Sequence, residues 1–322
     1  MNFINYRKCL FFLICFVSVF FFSIFSVSAA TISPPIIEVE VDPGQSVTKT
    51  IKVFNETDSD IAVKGYLELF KPKGERGEVE ILPPEIGGQV LSWVKLPLNS
   101  VSLEPSEIVE APVIITIPKN IPVGGYYVAA MWESSAFPAD QTKQVKINSR
   151  VGVLLLIRVK GEAKEELSIL NFQAVGASPF WGENFYRRLP VNFYARLENT
   201  GNVHLKPTGL VIIKNIFGRV AASIPFNSDG RYILPQSKKQ FDSVWSKGGN
   251  SGSGFWPGLK AEITGLSLGR YTAQVQVDYG AKKERLYSGE ASFWVVPWRT
   301  ILMAGIILFI VVIFRKIFRS RK

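Results

Sequence analysis

The sequence is poor in the residues that metal and thiol chemistry require. Its 322 residues include one histidine and two cysteines. Both cysteines, Cys9 and Cys15, lie in an N-terminal apolar run, so the rest of the chain has no thiol for a disulfide, an iron–sulfur cluster or a nucleophile. A zinc site needs about four nitrogen or sulfur ligands, which His204 alone cannot supply. We therefore expect no cofactor.

The same scarcity argues against catalysis. A serine nucleophile would need His204 as its base, and the alternation of residues 202–206 (NVHLK) predicts that this histidine faces solvent in a strand or turn. Glu56, Asp58 and Asp60 crowd one turn but lack the glycine and the closing glutamate of a calcium loop. Nothing in the sequence places two carboxylates across a cleft, as sugar hydrolysis requires. We predict that the protein is not an enzyme, with an envelope hydrolase as an alternative.

Acidic residues are too few to balance the basic ones, and the formal net charge is +10. The excess is confined to the two ends of the chain, where these cations flank apolar runs: Arg7, Lys8, Arg299, Arg315, Lys316, Arg319, Arg321 and Lys322. Without them the middle of the chain carries about +2, whereas nucleic-acid binding domains concentrate basic residues on one surface. We therefore expect no nucleic acid partner.

The N-terminal run has the pattern of a secretory signal peptide. Arg7 and Lys8 precede an apolar stretch at residues 10–27, which closes with the small residues of 27–30 (VSAA). This predicts a signal peptide over residues 1–30, cleaved after Ala29 or Ala30. An uncleaved membrane anchor is the alternative, because the apolar stretch is long for a signal.

The C-terminal run predicts a transmembrane helix. Residues 301–314 are all apolar, but fourteen residues span only about 21 Å of a bilayer core of about 30 Å. Arg299 and Lys316 can extend their charged ends outward, which gives a helix over residues 298–318. The basic tail, residues 319–322, predicts a cytoplasmic C-terminus and extracellular N-terminal domains in a single-pass membrane protein.

The chain between these segments has the pattern of β-sandwiches. Short alternating or β-branched runs, such as residues 36–41, 47–54 and 191–197, are separated by turn residues. The length is right for two domains. We predict an all-β protein with two tandem immunoglobulin-like β-sandwiches, over residues 31–160 and 165–297, followed by the transmembrane helix.

An internal repeat supports two similar domains. The first half contains VFNET at residues 53–57 and IPVGGYY at 121–127, and the second contains LENT at 197–200 and LSLGRY at 266–271. The asparagine and tyrosine are 71 residues apart in the first half and 72 in the second. The repeated positions are predicted to determine turns or tyrosine corners: Asn55, Gly125, Tyr126, Asn199, Gly269 and Tyr271.

Two insertions break the repeat and are the most informative loops. Residues 70–78 predict a charged hairpin, and residues 246–258 predict a flexible glycine-rich loop that ends in aromatic residues. Exposed tryptophan can stack on sugars or anchor a protein partner. Trp181, Phe255 and Trp256 are therefore the candidate ligand or partner contacts; alternatively, Phe255 and Trp256 fold back onto their own domain.

The exterior part resembles the WxL-interacting protein family of bacterial cell surfaces. The matching segments, within residues 32–159, are VDPGQS at 41–46, VFNET at 53–57, SWV at 92–94 and IPKNIPVGGYY at 117–127. The resemblance implies a signal peptide, a peptidoglycan-binding immunoglobulin-like domain, a second such domain implicated in host or partner binding, one transmembrane helix and a basic tail. The second half departs from this pattern.

The sequence therefore predicts a non-enzymatic cell-surface protein that binds cell-wall polymer (peptidoglycan) or another surface protein. A structural stalk without a specific ligand is an alternative, whose aromatic residues would all be buried. The oligomeric state is left open by the sequence.

Overall fold

The structure is a computed structural model that describes residues 30–86, 88–136, 148–176, 184–247 and 254–319. Residues 1–29 of the predicted signal peptide lie outside this part of the chain, and so does Trp181.

Sandwich 1 is built from the first ten strands. They are β1 (Ala30–Ser33), β2 (Ile36–Val41), β3 (Ser46–Asn55), β4 (Ile61–Lys73), β5 (Glu78–Ile81), β6 (Val94–Lys95), β7 (Ser100–Leu103), β8 (Ile108–Thr116), β9 (Gly124–Ala136) and β10 (Asn148–Val159). One sheet has the order β1-β3-β8-β6, and the other has the order β2-β10-β9-β4-β5, with β7 paired to β4. Alternating residues of β2, such as Val39 and Val41, are buried between the sheets.

Strand β10 differs from this alternation, because Leu155, Leu156 and Ile157 are all buried in succession. Leu155 and Ile157 belong to the core between the sheets. Leu156 belongs to a second cluster, which includes Leu234 of sandwich 2. The continuous apolar run therefore arises because both faces of β10 are covered.

Sandwich 2 is built from strands β11 to β19. They are β11 (Leu167–Val175), β12 (Phe185–Tyr186), β13 (Val191–Asn199), β14 (Thr208–Asn215), β15 (Val220–Phe226), β16 (Ser237–Trp245), β17 (Gly269–Tyr279), β18 (Glu284–Tyr287) and β19 (Ala291–Val295). One sheet has the order β11-β13-β16, and the other has the order β12-β19-β17-β14-β15, with β18 paired to β17. Phe193, Phe241, Trp245 and Phe293 fill the core between them.

Two α-helices complete the described chain. Helix α1 (Phe255–Thr264) precedes β17, and helix α2 (Trp298–Arg319) follows β19. Helix α2 is the one described helix that is long and apolar enough to cross a membrane, and none of it is buried. The predicted architecture of two β-sandwiches followed by one apolar helix is thus confirmed.

Helix α1 was not predicted, since residues 246–258 were expected to form a loop. Pro257 lies in its first turn, where proline is tolerated because the amides there have no partner within the helix. Leu259 and Glu262 are buried, which gives the helix the tertiary packing that such a short segment needs.

The repeated asparagines occupy equivalent buried positions. The Asn55 side chain donates to the carbonyls of Ser59, Leu103 and Glu104 at 2.9–3.1 Å. The Asn199 side chain donates to the carbonyls of Val203 at 2.8 Å and Ile233 at 3.0 Å, and it accepts from the amide of Gly201. Each asparagine therefore joins the end of its own strand to a neighbouring loop.

The repeated tyrosines each pack on a tryptophan. Tyr126 contacts Trp93 edge to face at 4.8 Å, and Tyr271 contacts Trp245 in the same way at 5.0 Å. The Tyr126 hydroxyl donates to the carbonyl of Pro122, which is the bond of a tyrosine corner.

The two repeated glycines meet different constraints. A Cβ atom on Gly125 would lie 2.1 Å from the Tyr127 hydroxyl oxygen, so a larger residue would displace that ring. Gly269 has φ of +125°, a conformation that other residues rarely adopt.

We expect Asn199→Ala to lower the free energy of unfolding by about 2–3 kcal/mol, because it leaves buried backbone carbonyls without donors. Asn55→Ala should have a similar effect on sandwich 1. Urea unfolding of the full chain in detergent would measure both losses. The matched control is Asn171→Ala on the exposed face of β11, with an expected change within about 0.5 kcal/mol. Equal midpoints for Asn199→Ala and this control would contradict the prediction.

Candidate functional site

The two sandwiches meet at His204. Its Nδ1 atom lies 3.2 Å from the Tyr127 hydroxyl, and its Nε2 atom lies 3.0 Å from Oε1 of Glu38. Tyr232 donates to the other oxygen of Glu38 at 2.8 Å. Glu38 and Tyr127 belong to sandwich 1, while His204 and Tyr232 belong to sandwich 2. The imidazole of His204 therefore forms hydrogen bonds with two side chains of sandwich 1, Glu38 and Tyr127.

The prediction that His204 faces solvent is wrong, since the residue is 2% exposed. Val203 and Leu205 point into the core of sandwich 2, so the alternation correctly places His204 on the opposite face. That face is covered by sandwich 1. The error arises because a single-domain pattern cannot show that a second domain packs there.

The sandwich 1 side of this contact is one cross-strand row. Leu156 pairs with Glu38 on one side and with Tyr127 on the other, so all three side chains share the outer face of the sheet. The Phe70 ring then packs edge to face on Tyr127 at 5.9 Å. The register of β2, β10 and β9 therefore places the residues that contact sandwich 2 on one face of the sheet.

Burial controls the charges at this contact. Burial lowers the pKa of His204, and the bond to Glu38 only partly offsets this effect. Burial alone would raise the pKa of Glu38, but hydrogen bonds from Tyr232 and His204 lower it below its usual value. Burial, together with the bond to Glu38, raises the pKa of Tyr232 to about 12. Neutral histidine thus lies beside an ionised glutamate.

The charged hairpin predicted at residues 70–78 is formed by β4 and β5, and its turn reaches sandwich 2. The Glu75 carboxylate forms a two-pronged ion pair with the Arg196 guanidinium. The Glu75 carbonyl also accepts from the amide of Gln240 at 2.7 Å. This hairpin therefore bridges the two sandwiches at a second point.

A cavity of about 220 Å³ lies between the hairpin and sandwich 2. Its apolar wall comes from both sandwiches: Ile36, Phe70, Val79, Leu154, Leu156 and Leu234. Arg231, Tyr232 and Lys239 add polar groups from sandwich 2. An apolar concavity with a few convergent polar groups is the usual form of a ligand site.

Two cations on this wall have no acidic partner in the described part of the chain. Lys239 donates to the Tyr232 carbonyl at 2.8 Å, and burial together with the nearby charge of Arg231 lowers its pKa to about 8. The Arg231 guanidinium lies over the Phe241 ring, and its buried Nε atom has no hydrogen-bond partner among these residues. Other charged wall residues, Arg76, Glu78 and Lys238, are exposed. The cavity is therefore suited to an anion that carries an apolar group.

The predicted contact residues lie elsewhere. Phe255 and Trp256 begin helix α1, and Trp256 is 68% exposed. The Phe255 ring lies 6.3 Å from that of Trp298, at the start of α2. Neither residue lines the cavity. The third candidate, Trp181, falls outside the described residues.

The cavity residues were not predicted because nothing in their sequence context distinguishes them from other turn and strand residues. Arg231 and Tyr232 follow the turn at Asp229 and Gly230, and Lys239 lies in a strand that alternates polar and apolar residues. One signal was present, namely the charged insertion at residues 70–78, which breaks the repeat between the two halves. The insertion predicted an informative loop but could not show which surface it would contact.

Among the residues that the structure describes, no group of three or more His, Cys, Asp or Glu side chains is arranged to hold a metal ion.

No family model and no curated protein matches the sequence. Solved structures with a similar arrangement include the class 5 fimbriae chaperone CfaA, at 14% identity and a TM-score of 0.40, covering 81% of this chain and 98% of that chain. The YadV chaperone matches at 11% identity and a TM-score of 0.37, covering 82% and 99%. A chain from the complex of the Salmonella enterica SafA pilin with the SafB chaperone matches at 10% and 0.36, covering 84% and 98%. With TM-scores below 0.5, these likenesses carry no inference about function.

We expect the free energy of unfolding to fall as pH is lowered through about 6.5, the ordinary pKa of histidine. The folded-state pKa of His204 is lower, so a proton binds the unfolded chain preferentially. Glu38, whose folded pKa is also lowered, loses its contribution only below its usual value of 4.5. Urea unfolding between pH 7.5 and pH 5 would measure the slope.

His204→Gln, which keeps a donor and an acceptor, should flatten this slope. His204 is the only histidine in the chain, so an unchanged slope in the variant would contradict the prediction.

Proposed function

We propose that this chain is a non-enzymatic, single-pass envelope protein whose two immunoglobulin-like sandwiches bind another surface protein. Helix α2 lies in the membrane, the sandwiches are extracellular and the basic tail is cytoplasmic. The partner contributes a segment with an anionic group on an apolar side chain or chain end, which enters the cavity between the sandwiches. The proposal rests on one observation: Arg231 and Lys239, which have no acidic partner among the residues that the structure describes, lie beside an apolar wall.

The energetics favour such a ligand. Arg231 and Lys239 are half-buried and therefore lose part of the hydration that a cation has in water. An anion in the cavity would compensate for this loss with a charge-assisted hydrogen bond. The apolar wall adds the gain from removing hydrocarbon from water. The site thus favours a ligand that has both an anionic group and an apolar group over a purely apolar ligand.

The cavity is built by both sandwiches and is held in shape by the contacts between them. Its floor belongs to β4 and β10 of sandwich 1, and the half-buried cations Arg231 and Lys239 belong to sandwich 2. The contacts at His204 and Glu75 hold these walls in place, so the site is formed before the ligand binds. Such preorganisation lowers the entropy cost of binding.

We propose in addition that the chain belongs to the WxL-interacting proteins and contacts cell-wall polymer through sandwich 1. Segments 41–46 and 117–127, which carry the resemblance, lie together: the Gly44 amide donates to the Ile117 carbonyl and the Ile117 amide to the Gln45 carbonyl, both at 2.9 Å. These segments are on sandwich 1, outside the cavity, so the two contacts can be separated experimentally.

We expect the double variant Arg231→Gln/Lys239→Gln to lose binding of octanoate, a carboxylate with an apolar chain, because both charge partners are removed. Calorimetry on the full chain in an uncharged detergent would measure the affinity, with octanol as the probe that lacks the charge. Lys282→Gln, an exposed change in the turn after β17, is the matched control and should bind like the parent chain. Equal octanoate affinities in all three chains would contradict the cavity assignment.

Capture of envelope proteins and sedimentation with isolated peptidoglycan extend the same comparison. Protein capture that is lost in the double variant and kept in Lys282→Gln supports the proposed partner. Peptidoglycan binding in both variants supports the cell-wall role of sandwich 1. A folded chain that binds nothing would favour the stalk.

Octanoate binding should also weaken as pH rises through about 8, because Lys239 then loses the proton that attracts the carboxylate. Titration at pH 7 and pH 9 measures this change. Lys239→Arg keeps a charge at both values and should remove most of the pH dependence. A parent chain that binds equally well at pH 7 and pH 9 would show that Lys239 does not contact the anion.

A further inference from the structure

The end of sandwich 2 that is remote from sandwich 1 carries exposed apolar side chains. We call it the distal end, and it comprises the β14–β15 turn, helix α1 and the segment that leads into β17. Its large exposed residues are Ile216, Phe217, Trp256, Ile263, Leu266 and Leu268. Phe217 is 82% exposed, which is unusual for an aromatic residue in water.

The strand register places this surface beside helix α2. Gly269 at the start of β17 pairs with Val295 at the end of β19, and α2 begins three residues after Val295. Asn215 of β14 pairs with Tyr271 of β17. The turn after Asn215 therefore extends to the level of Gly269, about 10 Å to the side of β19, because β14 is two strands away.

Helix α1 is fixed to the first turn of α2. The buried Glu262 carboxylate accepts from the Thr300 amide at 3.0 Å and from its hydroxyl at 3.2 Å. The Arg299 guanidinium lies 3.7 Å from the other carboxylate oxygen. A Cβ atom on Gly258 would lie 1.8 Å from this guanidinium, so a larger residue would displace the end of the Arg299 side chain. The Glu262 charge also stabilises the N-terminus of α2.

Exposed cations surround the apolar residues. Arg219 lies in the β14–β15 turn, Lys247 precedes α1, Lys260 lies on α1 and Arg270 is the second residue of β17. Exposed aromatic and aliphatic side chains with a cationic surround are typical of protein surfaces that rest in the interface of an anionic bilayer.

We propose that the distal end of sandwich 2 docks on the outer leaflet of the membrane, with Phe217 and the exposed face of α1 inserted among the lipid headgroups. The ligand is an anionic phospholipid bilayer. This inference rests on the proposed membrane placement of α2. It also reassigns Trp256 from partner recognition to lipid contact.

Continuity with α2 selects lipid as the occupant. Glu262 holds α1 against residues 299–300, where the chain enters the membrane, so the exposed Trp256 and Ile263 are held next to the bilayer surface. Tryptophan is favoured at that depth. Docking at Phe217, to the side of β19, adds a second point of contact and fixes the tilt of the sandwiches relative to the membrane.

Site-specific fluorescence in nanodiscs tests this inference. The full chain, with Cys9→Ser and Cys15→Ser, receives one cysteine at a time for an environment-sensitive label. Phe217→Cys and Ile263→Cys report the proposed surface, and Ile306→Cys reports the middle of α2. Ser228→Cys is the matched control, since this residue is also exposed but follows the other end of β15. The nanodiscs contain phosphatidylglycerol with a quencher at either the shallow or the deep part of the acyl chain.

We expect blue-shifted emission and strong shallow quenching at positions 217 and 263, deep quenching at 306, and water-like emission at 228. Water-like emission at 217 and 263, with deep quenching at 306, would overturn the docking while leaving the membrane anchor intact, and would point to a protein partner for this surface. Loss of quenching at 306 would overturn the anchor and the docking together.

Discussion

The buried contact of His204 with Glu38 and Tyr127 holds the two sandwiches in one arrangement. The buried His204 ring uses both of its nitrogens for this contact, so another arrangement of the sandwiches would leave a buried polar ring without partners. The Glu75–Arg196 ion pair on the β4–β5 hairpin repeats this constraint at a second point. These contacts restrict rotation between the domains, and the cavity between the domains has fixed walls for that reason.

The two ends of sandwich 2 therefore differ in what they contact or expose. One end presents His204, Tyr232 and the cations of the cavity to sandwich 1. The other end continues into α1 and α2 and carries the exposed Phe217. Because a β-sandwich is rigid along its strands, docking of the distal end on a membrane would set the height and direction of the cavity above the bilayer. The proposed binding site and the proposed membrane contact are linked through the same set of strands.

Much of the fold could be predicted because it depends on local pattern. The alternation in β2 and β13 identifies strands, and the Asn55 and Asn199 repeat identifies two similar domains, since each asparagine satisfies loop carbonyls of its own sandwich. Helix α1 could not be predicted in this way. Its sequence has low helical periodicity and contains Pro257 and Gly258. The helix is stabilised by the bonds of Glu262 to the first turn of α2 and by the burial of Leu259.

Most of the candidate site could not be predicted from the sequence, because it also depends on tertiary contacts. In the sequence, Arg231 and Lys239 have no feature that separates them from exposed turn and strand residues, and only the structure shows that the β4–β5 hairpin lies beside them. His204 likewise has the pattern of a solvent-facing residue, but sandwich 1 covers it. The sequence by itself determined the strands, the repeat, the apolar C-terminal helix and the absence of thiols after Cys15, because these depend on composition and on contacts within one domain. Only the tertiary structure decided which outer faces meet and which cations are partly withdrawn from water, since both depend on how the two sandwiches pack against each other.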